Sequence, residues 1–197
     1  MVKAVPVAEE DLLRARFYGL LAALLASPPD TEMLSRLRQL EGDDSPMGEA
    51  LTRLSQAAAD ASHEQVVEEW NALFIGVTRG EVLPYASYYL TGFLNEKPLA
   101  VLREDMAQLG IARREGVPES EDHIVSLLEM MRGMIEGSFG EPFDLGCQKT
   151  FFEKHLKPWA GRFFADLETA GEAKLYRPVG AVGRLLMQIE GEAFEMM

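Results

Sequence analysis

The stretch His123-Ile124-Val125-Ser126-Leu127-Leu128-Glu129-Met130-Met131-Arg132-Gly133-Met134-Ile135-Glu136 decides the fold class. Ile124, Leu127, Leu128, Met131, Met134 and Ile135 recur at steps of three and four, the period of a helix with one buried face. Gly137-Ser138-Phe139-Gly140-Glu141-Pro142 stops it. The same period runs through most of the chain. Leu13, Phe17, Leu20, Leu21, Leu24 and Leu25 form a first helix, and Ser27-Pro28-Pro29-Asp30 ends it and caps a second through Met33, Leu34, Leu37 and Leu40. After a loop at 41–46, Ala50, Leu51, Leu54, Ala57, Ala58 and Ala61 give a third. Ser62 caps a fourth, whose inner face is Val66, Val67, Trp70, Leu73 and Phe74. Residues 76–84 break the pattern. Tyr88-Tyr89-Leu90 then opens a short helix, and Pro98 starts another through Leu99, Leu102, Met106 and Leu109. A connector at 110–117 leads to the central stripe. Further helices are expected over 145–156, 158–170 and 179–194, the last with Val182, Leu185, Leu186 and Ile189 inward. No segment alternates long enough for a sheet, and there is no repeat or long linker. The expectation is one compact all-α domain, residues 1–197, of nine or ten helices.

Composition narrows the function. Hydrophobic residues are 47% of 197, enough for a sizeable core. The formal net charge of −13 repels phosphate backbones and steers cationic partners toward the surface, so no nucleic acid is expected. The N-terminal residues hold no apolar run of signal-peptide length, and no stretch approaches the roughly 18 apolar residues of a membrane span. The single cysteine, Cys147, forms no intrachain disulfide, which fits a reducing compartment. The expected location is the cytoplasm.

Catalytic and metal motifs fail by position. His63-Glu64 opens like a zinc-protease signature, but residue 67 is Val67 where the second histidine belongs. A di-iron bundle needs glutamate three residues before histidine, and the three histidines have Asp60, Ser120 and Phe152 there. No phosphate loop or dinucleotide fingerprint is present. No metal or cofactor is expected. Arg113-Arg114 lies mid-chain with no hydrophobic run after it and reads as a solvated loop rather than an export signal.

Two clusters remain. Pro118-Glu119-Ser120-Glu121-Asp122-His123-Ile124 places acids and a histidine in the first turn of the central helix. The helix dipole favours anions there, so a capping turn with a half-exposed histidine is one reading. The other is a carboxylate that accepts a guanidinium, worth roughly 1.5–3 kcal/mol when sheltered from water. Trp70, Leu73 and Phe74 share a helix face ahead of Pro84-Tyr85-Ala86-Ser87-Tyr88-Tyr89. They are either core or the aromatic wall of an apolar groove.

Four pieces in this order resemble the TorD/DmsD family of redox-enzyme maturation chaperones. They are Trp70-Asn71-Ala72-Leu73-Phe74-Ile75-Gly76, Pro84-Tyr85-Ala86-Ser87-Tyr88-Tyr89-Leu90, the Pro118–Ile124 cluster, and Phe151-Phe152-Glu153-Lys154-His155-Leu156-Lys157-Pro158-Trp159. The third is similar to the family's Glu-Pro-x-Asp-His signature but departs from it, with Ser120-Glu121 read at the glutamate–proline pair and Pro118 upstream. The resemblance implies an all-helical, cytoplasmic, non-enzymatic chaperone, monomer or homodimer. Such a protein binds the twin-arginine signal peptide of an apo molybdenum-cofactor oxidoreductase and coordinates cofactor insertion and folding with export. It implies Trp70, Leu73, Phe74, Pro84, Tyr85, Ser87, Asp122 and His123 as peptide-binding residues. An acid near Asp122 suits arginines, and the aromatic face suits the apolar segment. His123 is expected to hold Asp122 or to titrate near neutral pH. Two alternatives stand beside this: a chaperone of a non-exported oxidoreductase subunit, as in nitrate-reductase assembly, and a helical enzyme using Asp122-His123 as an acid–base pair.

Overall fold

The computed structural model describes residues 8–113, 116 and 118–197. The N-terminal reading over residues 1–7 and the connector positions Arg114, Glu115 and Val117 lie outside the described residues. Ten α-helices and no strands occur among the described residues. They are α1 (Glu9–Ala26), α2 (Thr31–Leu37), α3 (Pro46–Asp60), α4 (His63–Trp70), α5 (Ala86–Thr91), α6 (Lys97–Leu109), α7 (Ile124–Glu136), α8 (Leu145–His155), α9 (Ala160–Thr169) and α10 (Tyr176–Glu195). A π-helical turn, Asn71–Ile75, continues α4. None of these helices is long and apolar enough to cross a membrane.

Local chemistry places the ends. The Asp30 carboxylate accepts the Met33 N–H at 2.7 Å and starts α2. Ser62 and Gln65 form a reciprocal capping box on α4. Pro98 stands in the first turn of α6, where its missing N–H costs nothing. The central stripe behaves as its period dictates: Ile124, Leu127, Leu128, Met131, Met134 and Ile135 are all buried.

The described residues group into two compact units. One holds the chain up to Ala22 together with Tyr85–Trp159; the other holds Ala23–Pro84 and Ala160–Met197. In the first unit α5 packs on α6, and α7 on α8. In the second α10 packs on α9 and on α3, and α3 on α2.

Within the second unit the π-helical turn is pinned by the chain that follows it. Val82 N–H donates to the Leu73 carbonyl at 2.9 Å, and Gly76 N–H to Asn71 at 2.7 Å. Gly76 has φ +63°, and a Cβ there would lie 2.0 Å from the Arg79 carbonyl oxygen, so only glycine closes this turn. Two carboxylates anchor the α9–α10 connection. Glu69 accepts the backbone N–H groups of Lys174, Leu175 and Tyr176 at 2.7, 3.2 and 2.8 Å. Glu81 accepts those of Gly171 and Glu172 at 2.6 and 3.2 Å.

Helix α10 departs from expectation at two points. It begins at Tyr176, three residues before the expected start, because Pro178 fits the first turn, where N–H groups have no helical partner. Ile189, expected inward, is 47% exposed, and Glu190 takes the buried position beside it at 1%.

Candidate functional site

The structure divides the expected site residues between the two units. Tyr85, Ser87, Asp122 and His123 fall in the first. There an isolated antiparallel bridge joins Tyr85 to His123, and Ala86 N–H donates to the Asp122 carbonyl at 3.0 Å. The Asp122 side chain lies beneath this bridge with 0% exposure. Its Oδ2 accepts the Ser87 N–H at 2.9 Å and also the Ser87 hydroxyl; its Oδ1 accepts the Ser120 hydroxyl at 2.6 Å. The direct guanidinium contact expected of Asp122 therefore has no open face here. Its carboxylate is filled by three internal donors that tie the start of α5 to the approach to α7.

His123 does not stand inside the helix but caps it. Its Nδ1 accepts the Val125 N–H at 3.2 Å, and its ring meets the Tyr85 ring edge-on at 4.9 Å. Burial lowers its pKa to about 4, against the opposing pull of Glu119 and Asp122. This corrects the expectation of a group titrating near neutral pH: His123 is neutral at physiological pH. The folded pKa lies below the ordinary value, so the unfolded chain binds the proton first as pH falls. The stability held by neutral His123 is complete above pH 6.5 and is lost between about 6.5 and 4. The loss amounts to about 3 kcal/mol. His123→Asn keeps a capping side chain but has nothing to titrate. Urea midpoints between pH 7.5 and 4.5 should fall more steeply for the wild type than for this variant. Parallel profiles would refute the assignment.

Counting back from Asp122-His123 corrects the motif reading as well. The glutamate of the Glu-Pro-x-Asp-His signature falls on Glu119, and only the proline is replaced, by Ser120. The replacement supplies a hydroxyl to Asp122 that proline lacks. Glu119 is exposed and accepts the Tyr85 hydroxyl. Burial, aided by that contact, pushes the Tyr85 hydroxyl pKa well above its ordinary value. Glu121 turns inward to Arg103, whose Nε and Nη2 donate at 3.0 and 2.8 Å. Burial works to raise the Glu121 carboxyl, but those bonds outweigh it and hold the pKa below the usual value. A second ionic cluster ties α6 to α8: Asp105 Oδ2 lies 2.6 Å from Lys154 Nζ and 2.7 Å from His155 Nε2. Cavities flank the Asp122 and Glu119 side of this region. One, of about 350 Å³, is lined by Ala86, Leu90, Val101, Leu102, Asp122 and Leu127 among others. The other, of about 320 Å³, includes Tyr85, Arg103, Arg113 and Glu119.

Trp70, Leu73, Phe74 and Pro84 fall in the second unit. Leu73 is fully buried and Pro84 is buried. Trp70 and Phe74 are half-buried, with ring centroids 5.7 Å apart, and Phe74 meets Tyr176 edge-on at 5.5 Å. The Trp70 indole N–H is buried and has no hydrogen-bond partner. The eight expected residues thus sort evenly. Trp70, Phe74, Tyr85 and His123 keep part of their surface, while Leu73, Pro84, Ser87 and Asp122 are buried.

Comparison with known proteins agrees with the motifs. The nitrate reductase delta subunit family matches residues 40–165. The chain is 28% identical over 172 residues to the chaperone protein TorD of Aliivibrio fischeri, covering 76% of this chain and 80% of that protein. It is 30% identical over 165 residues to the chaperone protein TorD of Vibrio cholerae, covering 80% and 70%. A crystal structure described as that of a redox enzyme maturation protein from Archaeoglobus fulgidus superposes with a TM-score of 0.57. That match has 20% identity, covers 94% of this chain and 98% of the other, and bears on the fold alone. The family match spans more than half of the sequence and the Vibrio cholerae relative is matched over most of both chains, so this protein belongs to the TorD-like nitrate reductase delta subunit family, the TorD/DmsD family that its motifs resemble.

Proposed function

We propose that this chain acts as a non-enzymatic cytoplasmic chaperone for the apo form of a molybdenum-cofactor oxidoreductase. It binds the client's twin-arginine signal peptide and delays export until the cofactor is inserted and the client has folded. Residues 1–197 act as one chaperone domain. The observation that carries this reading is the similarity to chaperones named TorD over most of the chain. The site geometry supports it. Trp70 and Phe74 in the second unit, and Tyr85 and His123 in the first, keep part of their aromatic surface, while Leu73, Pro84, Ser87 and Asp122 are buried. Aromatic surface of this kind, in an acidic protein, suits a peptide that is cationic and apolar by turns. The acid–base alternative is weaker on chemical grounds. A proton-transferring pair needs access to substrate, whereas Asp122 has no exposed surface and its oxygens are occupied.

The test is calorimetric titration with synthetic twin-arginine leaders. Binding at micromolar concentration or tighter, lost when the arginine pair is replaced, is the expected result. A second reading has its own support, because the matching family is described as a nitrate reductase delta subunit. It holds that the client is a subunit without an export signal. Binding to mature apoenzyme and to none of the leaders would establish it instead.

A further inference from the structure

Leu73 is sealed in the core of the second unit, and Trp70 and Phe74 pack on each other and on Tyr176, so the outward side of the same element carries the surface that stays open. Along it Glu64, Glu68, Asn71 and Ile75 follow at steps of three and four and all are exposed. Ile75 is 56% exposed and Val77, two residues further, 107%. The two aliphatic side chains stand in water beside a π-helical turn, apolar surface that a partner can cover. The glycine turn at Gly76 fixes the pair in place. Helix α4 carries three acids and no lysine or arginine. Of these, Glu69 is committed to the α9–α10 connection, while Glu64 and Glu68 face out. Hydrogen bonds to Glu64's own backbone and to Ser62 hold its pKa below the usual value. Arg38 is turned onto the Ala58 and Ala61 carbonyls, Arg79 lies in the turn beyond Val77, and Lys174 meets α4 through its backbone N–H at Glu69.

We infer that this face, from Glu64 through Glu68 and Asn71 to Ile75 and Val77, extends the signal-peptide surface beyond Trp70 and Phe74, with the arginine pair on the two carboxylates and the start of the apolar segment on the aliphatic pair. The placement rests on the signal-peptide reading above and deepens it. Charge complementarity chooses the occupant, and the order of chemistry chooses its direction. Seven residues of helix separate Glu68 from Ile75, a rise of about 10 Å. About three residues of extended peptide span that distance, so an arginine pair and the start of an apolar run reach both ends together.

The probe is a dye-labelled synthetic peptide with an arginine pair just ahead of an apolar run of about ten residues, followed by anisotropy at low salt. All the substituted positions are exposed, and circular dichroism checks that the variants fold. Glu64→Gln combined with Glu68→Lys should weaken binding about tenfold, and that loss should vanish with a peptide carrying glutamine in place of the arginine pair. Ile75→Ser combined with Val77→Ser should weaken binding at least tenfold for either peptide. Wild-type binding that both variants match within twofold would overturn the placement and leave signal-peptide binding intact. Absence of wild-type binding would overturn both.

Discussion

Asp122→Ala should lower unfolding stability by about 3–5 kcal/mol, one of the two largest single-residue effects expected in this protein. The carboxylate has no exposed surface and accepts a backbone N–H and two hydroxyls. Removing it leaves those donors in a dry interior, and each abandoned buried donor costs about 1–3 kcal/mol. A hydroxyl can rotate toward another acceptor; the Ser87 N–H, fixed by the backbone, cannot. One effect opposes the loss, since alanine no longer requires a carboxylate to be desolvated. It does not prevail, because alanine neither fills the volume nor satisfies the donors. Asp122→Asn separates the terms. Its amide oxygen can still accept the Ser87 N–H while its NH2 faces the Ser120 hydroxyl, which can accept, so a loss of about 1–2 kcal/mol is expected. Melting temperature should fall by on the order of 10 °C for alanine and a few degrees for asparagine. Equal midpoints for Asp122→Ala and wild type would show that the bonds to Ser87 and Ser120 hold nothing together. The same experiment bears on function. Loss of peptide binding in Asp122→Ala would report a collapsed bridge between Tyr85 and His123, not a lost arginine contact.

The sequence was most legible where one residue and its near neighbours decide the outcome. Asp30 and Ser62 cap because a short side chain reaches an N–H two or three residues on, and the stripe of α7 is buried because six apolar residues share one face. It was least legible where a polar group is buried by partners distant in the chain. Asp122 reads as a surface acid until Ser87, 35 residues earlier, is brought beneath the bridge. Glu190 is passed over for Ile189 by any reading that sends apolar residues inward, yet the carboxylate is the buried member of the pair. Glu69 looks like one more solvated acid on α4, although its role is to satisfy backbone N–H groups more than a hundred residues later. The site was legible in the same uneven way. The motif order located the two clusters, but spacing alone did not separate the four residues that keep a surface from the four that are buried.

The other large effect belongs to Gly180, where two principles oppose each other. Glycine inside a helix costs about 1 kcal/mol relative to alanine, so Gly180→Ala in an isolated α10 would be stabilising. In the folded protein a Cβ at this position would lie 2.5 Å from the Glu168 backbone nitrogen and 2.7 Å from the Phe164 carbonyl oxygen. These are backbone atoms of α9, so no side-chain rotation relieves the contact and the two helices must move apart. Gly183, one turn on, stands against the Phe164 ring, with a Cβ 2.2 Å from its nearest carbons, and Phe164 itself is fully buried. The glycines therefore set how closely α10 lies on α9, the pairing on which the second unit is built. Overpacking of this kind costs roughly 1–3 kcal/mol in a core that can yield and more where backbone blocks backbone, so the clash outweighs the propensity gain. Gly180→Ala should lose at least about 3 kcal/mol and Gly183→Ala about 2, read from urea midpoints at neutral pH. Gly161→Ala supplies the contrast: nothing lies within 4 Å of its Cβ, so propensity acts alone and a gain of up to about 1 kcal/mol is expected. A Gly180→Ala protein as stable as wild type would mean that α9 and α10 can separate without cost, and the close helix pairing would lose its standing as the feature that holds this unit together.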